Sequence, residues 1–294
     1  MGRIEPGGAF MVMSVQPDEP ADAPEAFFRP DGEFFLPNTL GEGPWGGALG
    51  GHVVGGLLGW AIERTGAADG LTLGRLTVDL LRPVLIEPVQ IETSVQRDGK
   101  RLRLVDATLI QRGRPVARAS ALLLRGGEHP DGDVWSTQPH MPPLNDQFER
   151  FPPVMPFQVW GYGRTQEGKP GVASGEWEQA DSPKFAWAKI FRPVVQGFPV
   201  TPLVRLAFAG DVTSALTHWG TGGLRYINAD FTVTASRLPE GEFVGLAATS
   251  HFGSNGIATG AATLFDVHGP IGSSTAVALA QPADAFRPVH QIGG

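Results

Sequence analysis

The chain contains no cysteine. Disulfides, thiolate-ligated zinc and thiol nucleophiles are therefore excluded, and the composition suits a reducing compartment such as the cytoplasm. Charge is sparse: 18% of the 294 residues are Asp, Glu, Lys or Arg, and the formal net charge is −7. No long basic run occurs, which argues against a nucleic-acid partner. Apolar runs such as Ala121–Leu124 fall far short of the ~20 residues that cross a bilayer. The first residues lack an apolar segment of secretory-signal length. None of the seven histidines pairs with another at metal-ligand spacing, so no metal site is expected. No GxSxG nucleophile elbow is present. Gly41-Glu42-Gly43-Pro44-Trp45-Gly46 formally spells GxGxxG. Pro44 interrupts it and the βαβ context is absent, so it reads as a flexible loop.

What the chain does have is an internal repeat. Residues 76–124 and 227–280 follow one pattern of strands and turns. Thr77-Val78-Asp79 matches Asn228-Ala229-Asp230 at an offset of 151. Ala107, Thr108, Leu109, Pro115 and Ala121 match Ala262, Thr263, Leu264, Pro270 and Ala276 at an offset of 155. The four extra residues fall in a connection before Val244, where insertions belong. Upstream, Gly51-His52 matches Gly210-Asp211, each pair opening an apolar helical stretch. A repeat this long means two fused units rather than a solenoid, whose units run roughly 20–50 residues.

Each unit reads as a leading strand or hairpin, one helix, then four antiparallel strands. In the first, Ala26–Phe28 and Glu33–Phe35 flank a turn at Arg29–Gly32. Val53–Arg64 has helical spacing. Its glycines would each cost an exposed helix about 1 kcal/mol, which suits a sheet wrapped closely around it. Leu76–Leu81, Val89–Gln96, Arg101–Ile110 and Pro115–Leu124 alternate apolar and polar residues as strands, with a tight turn at Asp98-Gly99. The second unit repeats this with leading strands at Gly175–Gln179 and Ala186–Val194. Its later strands are Tyr226–Thr234, Glu242–His251, Ile257–Asp266 and Ile271–Leu279. The expected organisation is a flexible segment 1–24, a unit 25–125, a Pro/Gly-rich linker 126–171, a unit 172–282 and a tail 283–294. A helix wrapped by a curved antiparallel sheet is α+β packing, and two fused copies make a double hotdog.

The segments GPWGGALGGHVVGGLLGWAIER, RLTVDLLRPV and RDGKRLRLVDATLIQRGRPVARASALLLR, followed by FAGDVTSAL, YINADFTVTASRLPEGEFVGL and GPIGSSTAVAL, carry a family resemblance. In this order they resemble the thioesterase-like double-hotdog proteins related to acyl-CoA thioesterase II, over residues 25–282. The resemblance implies hydrolysis of acyl-CoA to CoA and a fatty acid, with no metal and no organic cofactor. It implies a catalytic carboxylate at Asp211 and a polar strand residue at Asn228. A Gln on the last strand would fall at Val277, where this chain departs from the pattern. Thr275, two residues away on the same strand face, is the candidate stand-in.

A thioester is already activated, so the reaction needs a held water, a base and donors for the oxyanion rather than a nucleophile. Asp211 is the candidate base, or else a helix N-cap. Asn228 would hold the water, or bond to backbone. Gly51 and Gly210 open the helices whose N-termini would face substrate. His52 is a second polar group of the pocket, a relic of a duplicated site, or an ordinary half-buried imidazole. Arg97 and Arg101, with Lys100 and Arg103, would contact CoA phosphates, or form a solvated hairpin rim. Trp45, Trp60, Trp187 and Trp219 would line an acyl tunnel or fill the core. Two rivals stand beside hydrolysis: an acyl-CoA or lipid-binding protein, and an enoyl-CoA hydratase. Hydratases of this fold typically use an Asp-His pair, and the sequence shows none closely spaced. The fusion supplies pairing within one chain, while free sheet edges leave homo-oligomers open.

Overall fold

A computed structural model of the protein describes residues 11–13, 25–66, 70–137, 140–144, 156–163, 169–170 and 176–287. Most of segment 1–24, parts of the linker including Pro152-Pro153, residues 171–175 and the end of the tail lie outside the described residues.

A short strand β1 (Met11–Val12) is followed by a hairpin, β2 (Phe28–Asp31) and β3 (Phe34–Pro37). Its turn falls at Gly32-Glu33, later than the spacing suggested, because Gly32 takes the positive φ of 61°. Helix α1 runs from Gly51 to Gly66. Val53, Val54, Leu57, Leu58, Trp60, Ala61 and Ile62 are all buried. A helix apolar nearly all round is one enclosed by protein. Strands β4 (Leu71–Leu80), β5 (Gln90–Asp98), β6 (Leu102–Gln111) and β7 (Arg114–Arg125) follow. Their alternation turns Val105, Ala107 and Leu109 of β6 inward, as a half-buried sheet requires.

The second half is less regular. It begins with β8 (Phe157–Tyr162), β9 (Lys169–Pro170) and β10 (Phe185–Ile190). The expected leading strand at Gly175–Gln179 is not one. Gly175 is outside the described residues, and 176–178 form a turn. There the Gln179 side chain accepts from the N–H groups of Asp181 and Ser182. β8 takes the leading place instead, from within what reads as linker. Helix α2 (Pro202–Gly210) and helix α3 (Val212–His218) come next. A two-strand ribbon, β11 (Trp219–Gly220) and β12 (Gly223–Leu224), leads to β13 (Tyr226–Asn228) and β14 (Asp230–Ala235). The single strand expected at Tyr226–Thr234 breaks at Ala229, whose N–H donates to the Val277 carbonyl. Then β15 (Phe243–Ser254), β16 (Ile257–Asp266) and β17 (Gly269–Ala280) close the fold. The two halves form an α+β double hotdog.

Among the described residues one thirteen-stranded sheet holds both halves, in the order β1-β5-β6-β7-β4-β14-β17-β16-β15-β10-β8-β9 with β13 also on β17. The halves join where β4 pairs antiparallel with β14. Thr77 and Thr232 share a hydroxyl hydrogen bond of 3.0 Å there. Thr77 and Thr232 are equivalent by the registers of β4 on β7 and β14 on β17, so the pseudo-twofold axis passes between them rather than through the Asp79-Asp230 match that the sequence suggested; Asp79 lies opposite Asp230 close by. The helices lie in the hollow of the sheet. The glycines of α1 serve α2 more than the sheet. A Cβ at Gly56 would strike Phe208 and one at Gly59 would strike Ala207, while one at Gly55 would meet Phe231 of β14 and the Ala207 carbonyl. No helix among the described residues is long and apolar enough to cross a membrane.

The Asp79–Asp230 contact has a measurable consequence. Arg118 pairs with Asp79 at 2.7 Å. Asp230 accepts from the Val277 N–H at 2.8 Å. Burial raises the Asp230 carboxyl above its ordinary range; the Val277 bond opposes this and Asp79 adds to it. The folded state therefore holds that proton more tightly than the unfolded chain, and stability falls as pH rises and Asp230 ionises. Asp230→Asn keeps the acceptor for Val277 and removes the charge. It should stabilise the protein at pH 7 by about 0.2–1 kcal/mol, with the gain shrinking as pH falls through the carboxylate range. Thermal melts of both proteins from pH 7 to pH 4 test this.

Candidate active site

Asp211 does not open a helix. The start signal lies upstream, where the Thr201 hydroxyl accepts from Val204 N–H and Pro202 holds the first helical position. Asp211 is the joint between α2 and α3, with right-handed φ −64° and ψ −28° and no side-chain cap bond. Its carboxylate is thereby free for other partners, and the capping alternative falls away.

Those partners come from three elements. Asn228, at the end of β13, donates from Nδ2 to Asp211 Oδ1 at 2.8 Å. His52, in the first turn of α1, brings Nδ1 to 3.6 Å from Asp211 Oδ2. Gly51 lies so close that a Cβ there would overlap the Asp211 carboxylate. The helix N-terminus at this site is thus that of α1, whose first N–H groups have no intrahelical partner and attract negative charge. The side chains of His52 and Asp211 are only 21% and 14% exposed, so their interaction is poorly screened. The His52 ring stacks on Phe157 of β8, with centroids 5.1 Å apart, and tilts against Phe208 of α2 at 4.9 Å. These two rings fix the imidazole, and no spacing in the sequence pointed to them.

Other expected members are elsewhere. Thr275 faces outward and is exposed. Side chains alternate along a strand, so Thr275 and Val277 share one face, and it is the face turned away from Asp211. Ala278 is the inward residue registered opposite Asn228, and it offers no polar group. Ser274 faces inward but accepts from the Thr213 hydroxyl at 2.7 Å. Gly210 packs against Val233 and Phe231 of β14 rather than facing a cleft. Arg97 and Arg101 are exposed near the β5–β6 turn. Arg103, beside them, donates to the Gly66 carbonyl at the C-terminal end of α1. A sixteen-residue helix is roughly 24 Å long, so these cations stand at the end remote from Asp211. Trp60, Trp187 and Trp219 are buried core, and Trp187 sits under residues 141–142 on the outer side of the sheet.

With this geometry in hand, comparison with known proteins is informative. Residues 40–124 match the acyl-CoA thioesterase N-terminal domain, and residues 129–280 match the acyl-CoA thioesterase C-terminal domain. The chain belongs to the acyl-CoA thioesterase family. A tesB protein of Mycobacterium avium subspecies paratuberculosis superposes with a TM-score of 0.61 at 15% identity, covering 85% of this chain and 93% of that one. Acyl-CoA thioesterase II TesB2 of Mycobacterium marinum gives 0.56 at 16%, over 80% and 92%. A conserved hot dog fold protein of unknown function from Alicyclobacillus acidocaldarius gives 0.60 at 15%, over 85% and 92%. At such identities these structures speak for the fold. No curated protein sequence matches significantly.

This thioesterase-family chain carries a second polar cluster at the far end of α3. His218, 4% exposed, brings Nδ1 to 2.9 Å from Nδ1 of His251 on β15. Tyr226 packs on both rings. Lys184 Nζ donates to the Trp219 carbonyl nearby. The two histidines are 33 residues apart in sequence and gave no signal. Among the described residues no group of three or more His, Asp or Glu is placed to hold a metal. Burial, then His251, then Lys184 push the His218 imidazole down to about 4. The unfolded chain binds this proton near pH 6.5, so stability is present above that value and is lost as pH falls towards 4. His218→Asn, which can keep the bond to His251, should flatten the fall in melting temperature between pH 7 and pH 4.5. An unchanged slope would assign the fall to other groups.

Proposed function

We propose that the protein hydrolyses acyl-CoA thioesters to CoA and a carboxylic acid at the Asp211 site. The observation that carries this reading is the half-buried Asp211 carboxylate, held by Asn228 and His52 against the N-terminus of α1. Asp211 would take a proton from water as its oxygen attacks the thioester carbonyl carbon. Asn228 binds one carboxylate oxygen and leaves the other to face His52 and the water. The N–H groups that open α1 would stabilise the oxyanion of the tetrahedral intermediate, where each such donor is worth roughly 10²–10³ in rate. Collapse of that intermediate breaks the C–S bond and expels the CoA thiolate. The proton taken from water then passes to the sulfur. No covalent enzyme intermediate is required, in keeping with a chain that has no cysteine and no nucleophile elbow.

A second reading gains from one observation. Sequence alone offered no close Asp-His pair, but folding brings His52 and Asp211 to 3.6 Å. Such a pair can add water across an enoyl-CoA double bond, one group activating water and the other delivering a proton to carbon. Hydrolysis is favoured because both halves of the chain match thioesterase domains.

Incubation with saturated and 2-enoyl acyl-CoA series separates these readings. Thiol release is expected, without loss of enoyl absorbance in its absence. Asp211→Ala should lower thiol release by about 10²–10⁴-fold while circular dichroism and melting temperature stay close to wild type. Undiminished turnover in that variant rejects Asp211 as the base. Binding of acyl-CoA with no reaction at all in the wild type would reject hydrolysis.

A further inference from the structure

The cations around the β5–β6 turn have no part in the Asp211 site, and the fold leaves them together. Lys100 and Arg101 stand exposed in the turn, and Arg97 stands exposed near the end of β5. Arg125 ends β7 beside them: its N–H donates to the Arg101 carbonyl and its Nε to the Lys100 carbonyl. Across the sheet, Arg97, Leu104, Leu122 and Arg75 are registered in one row over β5, β6, β7 and β4. Leu102 and Leu124 are opposite each other in the next row. Val105 and Leu123 point into the core, so these four leucines point outward. Leu102, Leu104 and Leu122 are half-buried and Leu124 is 37% exposed. An apolar centre is thus rimmed by Arg75, Arg97, Lys100, Arg101 and Arg125. Arg103 turns inward to the Gly66 carbonyl and neutralises Asp98, and Asp106 lies one row further along β6. These six cations and two acids give this end a charge of +4, which leaves −11 for the rest of the chain, the linker acids Glu128, Asp131 and Asp133 included. Exposed like charges at such spacing repel. Among the described residues none of Arg97, Lys100 and Arg101 enters an ion pair that would offset this.

We infer that this end of the first half is a docking surface for an anionic lipid bilayer. Apolar side chains at the centre with Lys and Arg around them is the pattern of an interfacial binder. The rim cations meet the headgroup phosphates, and the leucines meet the boundary of the acyl region beneath. An acidic protein would match the cations and leave the leucines without a partner. Each Lys or Arg near such a surface is worth roughly fivefold in partitioning, so Arg97, Lys100 and Arg101 together contribute about 100-fold. The surface field decays within a Debye length, about 10 Å at ordinary ionic strength. A chain of this length is roughly 50 Å across, so most of its acidic remainder lies beyond that reach. Docking in this orientation keeps the Asp211 site, at the other end of α1, off the membrane. It needs nothing from the chemistry at Asp211.

Vesicle flotation of the full chain tests this directly. The protein should float with phosphatidylcholine vesicles that contain phosphatidylglycerol and stay behind with pure phosphatidylcholine. High salt should release it from the anionic vesicles. Arg97→Gln with Lys100→Gln and Arg101→Gln should weaken binding by about 100-fold, with melting temperature and thiol release retained. Arg112→Gln with Arg114→Gln, exposed cations at the opposite end of β6 and β7, should bind as the wild type does. No binding to anionic vesicles at low salt, or binding that the triple substitution leaves unmoved, overturns the proposal. Tighter binding of soluble poly-glutamate than of the vesicles also overturns it and points to an acidic protein partner. Should the triple variant melt early, Lys100→Gln alone is expected to cost about fivefold, and an unchanged affinity there counts against the docking surface.

Discussion

The close crossing of α1 and α2 is the contact on which the site depends. Gly55, Gly56 and Gly59 leave room for Ala207 and Phe208 and for Phe231 beneath them. Each glycine lowers intrinsic helix stability by about 1 kcal/mol relative to alanine. Burial of Leu57, Leu58 and Ile62, at roughly 1.5–3 kcal/mol each, more than offsets this. The crossing sets how far the start of α1 lies from the end of α2, and hence the distance from Gly51 and His52 to Asp211. A bulkier side chain along that seam would push the helices apart and loosen the carboxylate, even though no seam residue touches it. Geometry held to better than an ångström matters for a water-orienting base.

Much of the fold was legible in the sequence because repeats and period-two alternation are local signals. The helix, the sheet strands and the duplication all follow from them. The signals failed where tertiary partners decide the outcome. Tyr226–Thr234 has unbroken strand character, yet it splits at Ala229 because β13 and β14 engage β17 at different points. The start of α2 was written in Thr201-Pro202, but the repeat drew attention to Gly210-Asp211 instead. Of the candidate site residues, Asp211, Asn228, His52 and Gly51 converge. Thr275 fails by the parity of its strand. Arg97 and Arg101 fail because their hairpin runs to the other end of α1. His218 and His251 meet only through the packing of α3 on β15, and no sequence spacing encodes such a contact.

Duplication explains why the two faces and the two helices diverged. In a dimer of identical chains both copies must serve every role at once. After fusion each copy answers to separate constraints. The first half kept a charged outer face with Arg118 pairing Asp79. The second half lost nearly all such charges over its three longest strands. The helices diverged likewise: α1 is one continuous rod, whereas its counterpart is divided at Asp211 into α2 and α3.

The same logic bears on the chemistry. His52 and Asp211 face each other at 3.6 Å. They are not repeat equivalents: His52 lies in the first turn of α1, whereas Asp211 comes well after the Thr201 cap of α2. α1 ends with Gly66 against Val105, and α3 ends with His218 against Gly260, so Gly66 corresponds to His218 and Gly59 to Asp211. Gly59 has no carboxylate, so the symmetric place holds no second pair. The cluster is for this reason single and shared. The first half supplies His52 and the positive end of α1, and the second supplies Asp211 and Asn228. The carboxylate that the last strand leaves unsupported at Ala278 is held instead by a residue from across the axis, so neither half alone contains the site.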